Sequence, residues 1–373
     1  MKKNVRPTVQ EIFDHLHQNP EVSWKETKTT DYIASLLEKT NARIRRFNDC
    51  TGLIADLGQG DPVIAVRADI DALWQEVDGT FKANHSCGHD AHMAIVLDAF
   101  YKLEERKDSW NGTVRFIFQP AEEKIEGALK MVEEGVIDSV EYLYGLHLRP
   151  MQELRTGQFA PGIQHGAVRF LKGEIQGEDA HGARPHLNKN AIELGAEFVH
   201  MMNAIHLDPK IPHSAKMTSF QSGGSSANII PGNAAFSIDL RAQTNEAMSE
   251  LFSKIEAIAD CISKLHGSEI RVKVTSDVPA AVMNEESVMH MERAIKEVKG
   301  EERLISVIET TGGDDFHFYS IMKPELKATM LAVGCDLQPG LHHPHMTFDQ
   351  SVLGEASEII VETIMQHGRS HEH

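Results

Sequence analysis

The sequence predicts an α/β protein: a mostly parallel-sheet domain into which a ferredoxin-like βαββαβ domain is inserted. Three observations support this. Apolar, strand-like runs that end in polar residues alternate with helical patterns over residues 1–166, and again from residue 278. Val63-Ile-Ala-Val66 is apolar throughout, the pattern of a strand covered on both faces. Between the two parts the rhythm changes to strand, helix, two strands, helix, strand within residues 167–277, long enough for a core of its own.

In chain order, Thr8-Val-Gln-Glu11 is a capping box that opens a first helix, with Ile12, Phe13 and Leu16 on one face. A second helix runs over residues 31–38. Strands are expected at 43–47, 53–57 and 63–66, the last ending in Arg67-Ala-Asp69-Ile-Asp71-Ala-Leu73. His85-Ser86-Cys87-Gly88-His89-Asp90-Ala91-His92 comes next. An apolar run from Met93 to Phe100 follows without Gly or Pro, as in a buried helix. A helix N-terminus there favours the thiolate of Cys87. Strands at 113–118, ending in Gln119-Pro120-Ala121-Glu122-Glu123, and at 142–146, ending at His147, complete the first part. The insert carries strands at 167–175, 216–221, 235–241 and 269–274, with helices at 191–205 and 246–265. Pro279 to Asn284 is the return. A helix at 286–298, a helical stretch near 314–322, a strand at 328–333 and a helix at 351–366 close the chain.

At 373 residues the chain exceeds one ordinary core, and the expected domains are 1–166, 167–277 and 278–373. A formal net charge of −18 argues against a nucleic-acid or anionic-membrane partner. The four cysteines, at 50, 87, 261 and 335, form no disulfide framework and suit a reducing cytoplasm. Met1 to Val9 lacks the apolar core of a signal peptide, and no stretch approaches a membrane span. The histidines of His367-Gly-Arg-Ser-His-Glu-His373 are expected on the surface of a frayed tail. Ser222 to Ser226 lacks the lysine and helix of a phosphate loop.

In parallel sheets ligands gather beyond the carboxyl ends of the strands, where Asp69, Asp71, Glu122, Glu123 and His147 fall. Cys87, His89, Glu123, His147 and one of His342, His343 and His345 make a donor set of thiolate, imidazole and carboxylate. It suits zinc, manganese, cobalt or nickel rather than calcium or magnesium. Five ligands exceed one tetrahedral site, which points to two ions. Asp69 and Asp71 are placed to hydrogen-bond the ligating histidines. Adjacent carboxylates repel, so a metal at Glu123 leaves Glu122 to take a proton from metal-bound water. Cys87 as a nucleophile paired with a histidine is the weaker chemistry, since His89 would share the same cation.

These motifs resemble those of the metal-dependent aminoacylase and carboxypeptidase family, in its branch of hippurate hydrolases, indole-acetyl-amino-acid hydrolases and N-acetyl-diaminopimelate deacetylases. The resemblance rests on Arg67-Ala-Asp-Ile-Asp-Ala-Leu73, Ser86-Cys-Gly-His-Asp-Ala-His92, Phe118-Gln-Pro-Ala-Glu-Glu123 and Gly145-Leu-His-Leu148. It continues in His181-Gly-Ala-Arg-Pro-His186, Ala227-Asn-Ile-Ile-Pro231 and His342-His-Pro344. It implies a dinuclear centre held by Cys87, His89, Glu123, His147 and His342, with Glu122 as general base. It implies His181 as a substrate-binding residue of the insert, with Asn228 and Arg241 as weaker candidates. It also implies a metallohydrolase catalytic domain closed by the insert as a lid, and a homodimer through that lid. The chain departs from the family at Leu73-Trp74-Gln75-Glu76, where Leu-Pro-Ile is usual, in a shortened segment 76–84, and at Asp314, where Glu is common.

The expected function is hydrolysis of the amide bond of an N-acyl amino acid, with an acetyl, benzoyl or aryl-acyl group. It uses two divalent ions, zinc or manganese, with cobalt or nickel as alternatives. A dipeptidase or aminopeptidase of the same fold, or a non-catalytic metal-holding binding protein, are the competing readings. Retention of Glu122 beside a full ligand set speaks against the last.

Overall fold

Val63–Asp69 is the strand about which the first part of the chain is arranged, and all seven of its residues are buried. Its side chains alternate with the pleat. Ile64, Val66 and Ala68 join one hydrophobic cluster, and Val63 and Ala65 join another on the opposite face. Burying a valine or isoleucine contributes about 1.5–3 kcal/mol, so Val63, Ile64 and Val66 do most to hold the strand in the sheet.

A computed structural model describes residues 6–369. Its seven-stranded sheet runs in the order Arg43–Arg46, Leu53–Gln59, Gly112–Gln119, Val63–Asp69, Tyr142–Pro150, Lys327–Leu337, Phe159–Ala160. The four middle strands are parallel to one another, and the pairings at both edges are antiparallel. Helices Val9–Gln18, His89–Glu105, Glu285–Lys299 and Val352–Arg369 pack on one face. Gly127–Glu133 and His317–Met322 contribute to the cluster on the other.

The capping box forms as expected: Thr8 Oγ1 accepts from the Glu11 amide while the Glu11 carboxylate accepts from the Thr8 amide. The second helix begins at Thr27, earlier than its apolar pattern suggests. There the Glu21 carboxylate accepts from both the amide and the hydroxyl of Thr29, which caps the first turn. Tyr142–Pro150 is longer than expected, because its pairing with Lys327–Leu337 continues to Pro150. His147 therefore lies inside a strand, beyond the point where pairing with Val63–Asp69 stops at Tyr144. Leu73–Val77 and Thr80–Asn84 form a hairpin where the sequence reading saw only a shortened segment. His367 is buried, not on the surface: its Nε2 lies 2.8 Å from the Tyr144 hydroxyl. His371 and His373 fall outside the described residues.

The chain divides into two compact units. One comprises the chain up to Gln164, Val282–Glu309 and the chain from Asp315 onward; the other is His165–Ala281 with Thr310–Asp314. The second unit holds a four-stranded antiparallel sheet in the order His213–Ser222, Ala234–Ala242, Ala167–Gln176, Glu269–Val278. With helices Ala191–Asn203 and Asn245–His266 this is the βαββαβ arrangement, closed around its own core of residues such as Leu171, Phe198, Phe236 and Leu251. Among the described residues no helix is long and apolar enough to cross a membrane.

Candidate metal centre

Five stretches of the first unit bring polar residues together. Asp69 ends its strand and Asp71 follows two residues on. Asp71 accepts from the amides of Glu122 (3.2 Å) and Glu123 (3.1 Å) and from the Ser23 hydroxyl (2.6 Å). These bonds fix a tight turn in which Ala121 and Ile125, on either side of Glu122–Lys124, take left-handed backbone angles of φ 53° and 60°. Non-glycine residues adopt such angles only when their surroundings compel it. Glu26, fully buried, adds to the grip by accepting from the Ala121 amide at 2.9 Å and the Thr51 hydroxyl at 2.6 Å.

Gly88 caps helix His89–Glu105 at φ 90°, so Cys87 and His89 project from either side of a left-handed residue. A Cβ at Gly88 would stand 3.0 Å from Leu148 Cδ1. His89 Nδ1 lies 3.0 Å from the Asp71 carbonyl oxygen, which directs Nε2 towards the carboxylates. That nitrogen is 3.8 Å from Glu123 Oε1 and 3.9 Å from Glu122 Oε2. His147 Nδ1 donates to the Leu148 carbonyl at 2.7 Å, and its Nε2 is 3.7 Å from Cys87 Sγ. His342 Nε2 is 3.3 Å from Cys87 Sγ and 3.6 Å from Glu123 Oε1.

Two donor triads result, Cys87–His89–His147 and Cys87–Glu123–His342, and Cys87 belongs to both. Within each, the candidate ligand atoms lie within 4.8 Å of one another. Of the three late histidines, His342 turns inward, held by its amide on the Ser86 carbonyl and its carbonyl on Gln75 Nε2. His343 accepts from the His345 amide, and His345 pairs with Asp78 at 3.1 Å.

His89 Nε2 and Glu123 Oε1 are buried without a hydrogen-bond partner. A buried polar atom left so costs about 1–3 kcal/mol, and a cation between the two would satisfy both. Burial pushes the Glu123 carboxyl up to about 7, against the pull of His89. Burial opposes protonation of His89, but Asp69 and Cys87 outweigh it and hold the imidazole well above its ordinary value. Burial, reinforced by the neighbouring Glu123 carboxylate, raises the Cys87 thiol well above its usual range. The thiolate expected from a helix N-terminus is thus not favoured by the protein alone: burial dominates, and the helix starts two residues later. A coordinated cation would reverse this, since a ligating thiol loses its proton outright. The donor set and the orphaned atoms fit divalent metal.

Of the two expected supporting aspartates, Asp71 engages His89 directly, whereas Asp69 Oδ1 bonds His92 Nδ1 at 2.7 Å. Asp69 is also bound by Arg67, buried within the strand, which reaches Asp315 with its other arm. His181, Asn228 and Arg241 lie in the second unit. His181 pairs in register with Ile229 on a short ribbon, and the Asn228 carbonyl accepts from Gly182, so these two are neighbours. Arg241 sits elsewhere, on the four-stranded sheet, with its guanidinium on the Asp239 carboxylate and the Thr311 carbonyl.

The sequence reading missed Glu26, Ser23 and Gln75. No periodicity marks them, because their partners lie tens to hundreds of residues away. Arg67 carried a signal: a lone charge in an apolar strand needs buried partners.

A central parallel sheet carries a polar cluster of thiol, imidazoles and carboxylates at its strand ends, a candidate metal centre. The model of peptidase family M20/M25/M40 matches residues 65–366, and the chain belongs to that family. It is accordingly an amidohydrolase. It is 33% identical over 364 residues to the N-acetyl-L-cysteine deacetylase of Bacillus subtilis, covering 94% of this chain and 86% of the relative. It is 27% identical over 331 residues to the IAA-amino acid hydrolase ILR1-like 2 of Arabidopsis thaliana, covering 83% and 75% of the two chains. The crystal structure of the Bacillus subtilis YXEP protein, described as a dinuclear metal binding peptidase, superposes with a TM-score of 0.82 at 26% identity, covering 97% and 98%.

Proposed function

We propose that this chain is a two-metal amidohydrolase that releases a free amino acid from an N-acyl amino acid. The observation that carries the reading is the pair of donor triads sharing Cys87, with Glu122 beside them. Cys87, His89 and His147 would hold one ion, and Cys87, Glu123 and His342 the other. One thiolate, three imidazoles and a carboxylate favour zinc or manganese. When bound, such ions supply Lewis acidity to the amide carbonyl and to a water molecule.

Glu122 is the group placed to move the proton. Its turn is fixed by Asp71, and its carboxylate accepts from the Asp315 amide at 3.4 Å. It takes a proton from the attacking water as the carbon–oxygen bond forms. It returns that proton to nitrogen as the carbon–nitrogen bond breaks, leaving a carboxylic acid and a free amine. The likeness to proteins named as an N-acetyl-L-cysteine deacetylase and an IAA-amino acid hydrolase supports an acyl amino acid as substrate. His181 and Asn228 are the proposed substrate residues of the second unit. Arg241 would have to release Asp239 to join them. Four free cysteines support a reducing, cytoplasmic setting.

Glu122→Gln tests the assignment: it should keep its full metal content and lose turnover by about 10²–10⁴-fold. Undiminished turnover would show that the proton moves through another group.

A further inference from the structure

His92 lies against the metal cluster, fully buried, and both of its ring nitrogens are committed to other groups. Its Nε2 accepts from the Leu148 amide at 3.1 Å. An accepting Nε2 places the ring proton on Nδ1, which donates to Asp69 Oδ1 at 2.7 Å. Asp69 is in turn anchored at 2.6 Å by the buried guanidinium of Arg67, and that guanidinium is itself braced by Asp315 and Gln119. Leu148, whose amide His92 holds, also accepts from His147 Nδ1 at 2.7 Å through its own carbonyl, in the next peptide unit. The two bonds grip the peptide units on either side of the Leu148 Cα, and the two histidine rings stand edge to face with centroids 4.7 Å apart. The protein therefore holds the backbone next to His147 from one side and the His147 ring from the other.

We propose that His92 is a positioning residue that steadies the backbone of Leu148, and with it the carbonyl that sets the tautomer and direction of His147, and is not itself a metal ligand. The inference rests on the reading of His147 as a ligand. Asp69, His89 and His92 form a group close enough to hold a cation on distance alone. The two hydrogen bonds decide against it for His92, because neither nitrogen has a lone pair left for a metal. Losing a partner that orients a ligand typically weakens metal binding about 10–100-fold.

The test is a double-mutant cycle on the full chain, read as the zinc dissociation constant in competition with a chromogenic chelator. His92→Phe should weaken zinc about 10–100-fold, and His147→Ala, which removes a ligand, at least as much. The pair His92→Phe/His147→Ala should be no weaker than His147→Ala alone, because His92 acts only through His147. His92→Gln keeps one donor and one acceptor and should restore near-parental affinity. His92→Ala offers the same comparison if the larger ring destabilises the apo-protein, whose Tm is followed in parallel. Parental zinc affinity in both His92→Phe and His92→Ala overturns the proposal. So do losses that add in full in the double variant, as they would for an independent ligand. Unchanged affinity in His147→Ala would instead overturn the ligand assignment on which the proposal rests.

Discussion

Glu26 shows what a single buried carboxyl does for the cluster. Burial raises it to about 6 from its ordinary 4.5, with the hydrogen bond from Thr51 opposing. The folded chain thus keeps this proton in a window where the unfolded chain has lost it, so the contribution of Glu26 to stability falls as pH rises from about 4.5 to about 6. Glu26→Gln keeps an acceptor for the Ala121 amide and carries no charge. Relative to the parent it should gain about 1–2 kcal/mol between pH 4.5 and 7, measured by denaturant unfolding at both values. The same gap at both pH values would contradict the assignment. At this scale the sequence was most informative about donors. Cys87, His89, Glu123, His147 and His342 stand out by residue type, and the structure gathers them. Glu26 and His92 are not legible in that way. Their meaning lies in contacts with backbone amides of residues 121 and 148, which no local pattern encodes.

Elements were legible where a period or a cap defined them. The capping box at Thr8 and the all-apolar strand at Val63 both appear as read. The hairpin at Leu73–Val77 and Thr80–Asn84 was missed although Asp78-Gly79 announced it: both residues have positive φ, as a tight two-residue turn requires. Tyr142–Pro150 was read short because its last residues owe their strand conformation to pairing with Lys327–Leu337, not to their own composition. The turn that bears Glu122 and Glu123 is supported by an element start, Gly127 of helix Gly127–Glu133. A Cβ there would stand 1.7 Å from the Pro120 carbonyl oxygen. Gly127→Ala must therefore displace the turn. It should cost about 1–3 kcal/mol of stability and lower both metal content and kcat. Parental Tm and kcat together in this variant would show that the turn is not so constrained.

Over the whole molecule, a formal charge of −18 provides no long-range attraction for an anionic substrate, so capture has to be local. The proposed ions supply that local positive charge, and they also bear on stability. A bound cation would satisfy the orphaned atoms at His89 and Glu123 in the folded chain alone, so the proposed ions would bind it in preference to the unfolded one. Stripping with a chelator should lower Tm, and readding zinc to about 1,000 times its dissociation constant should restore about 4 kcal/mol. A Tm indifferent to chelator would contradict a cation at these atoms. The two compact units each have a core of their own, and the second begins at His165, near the change of rhythm in the sequence. The recruitment of Thr310–Asp314 into the second unit had no sequence signature.

The central claim is best tested by titrating zinc or manganese into the stripped protein while measuring amino acid released from a panel of N-acetyl, N-benzoyl and N-indoleacetyl amino acids, with free dipeptides alongside. The account predicts no release from the stripped chain, and release from at least one N-acyl amino acid that rises with metal and saturates at about two ions per chain. Hydrolysis without metal, saturation at a single ion, or turnover confined to free dipeptides would contradict it.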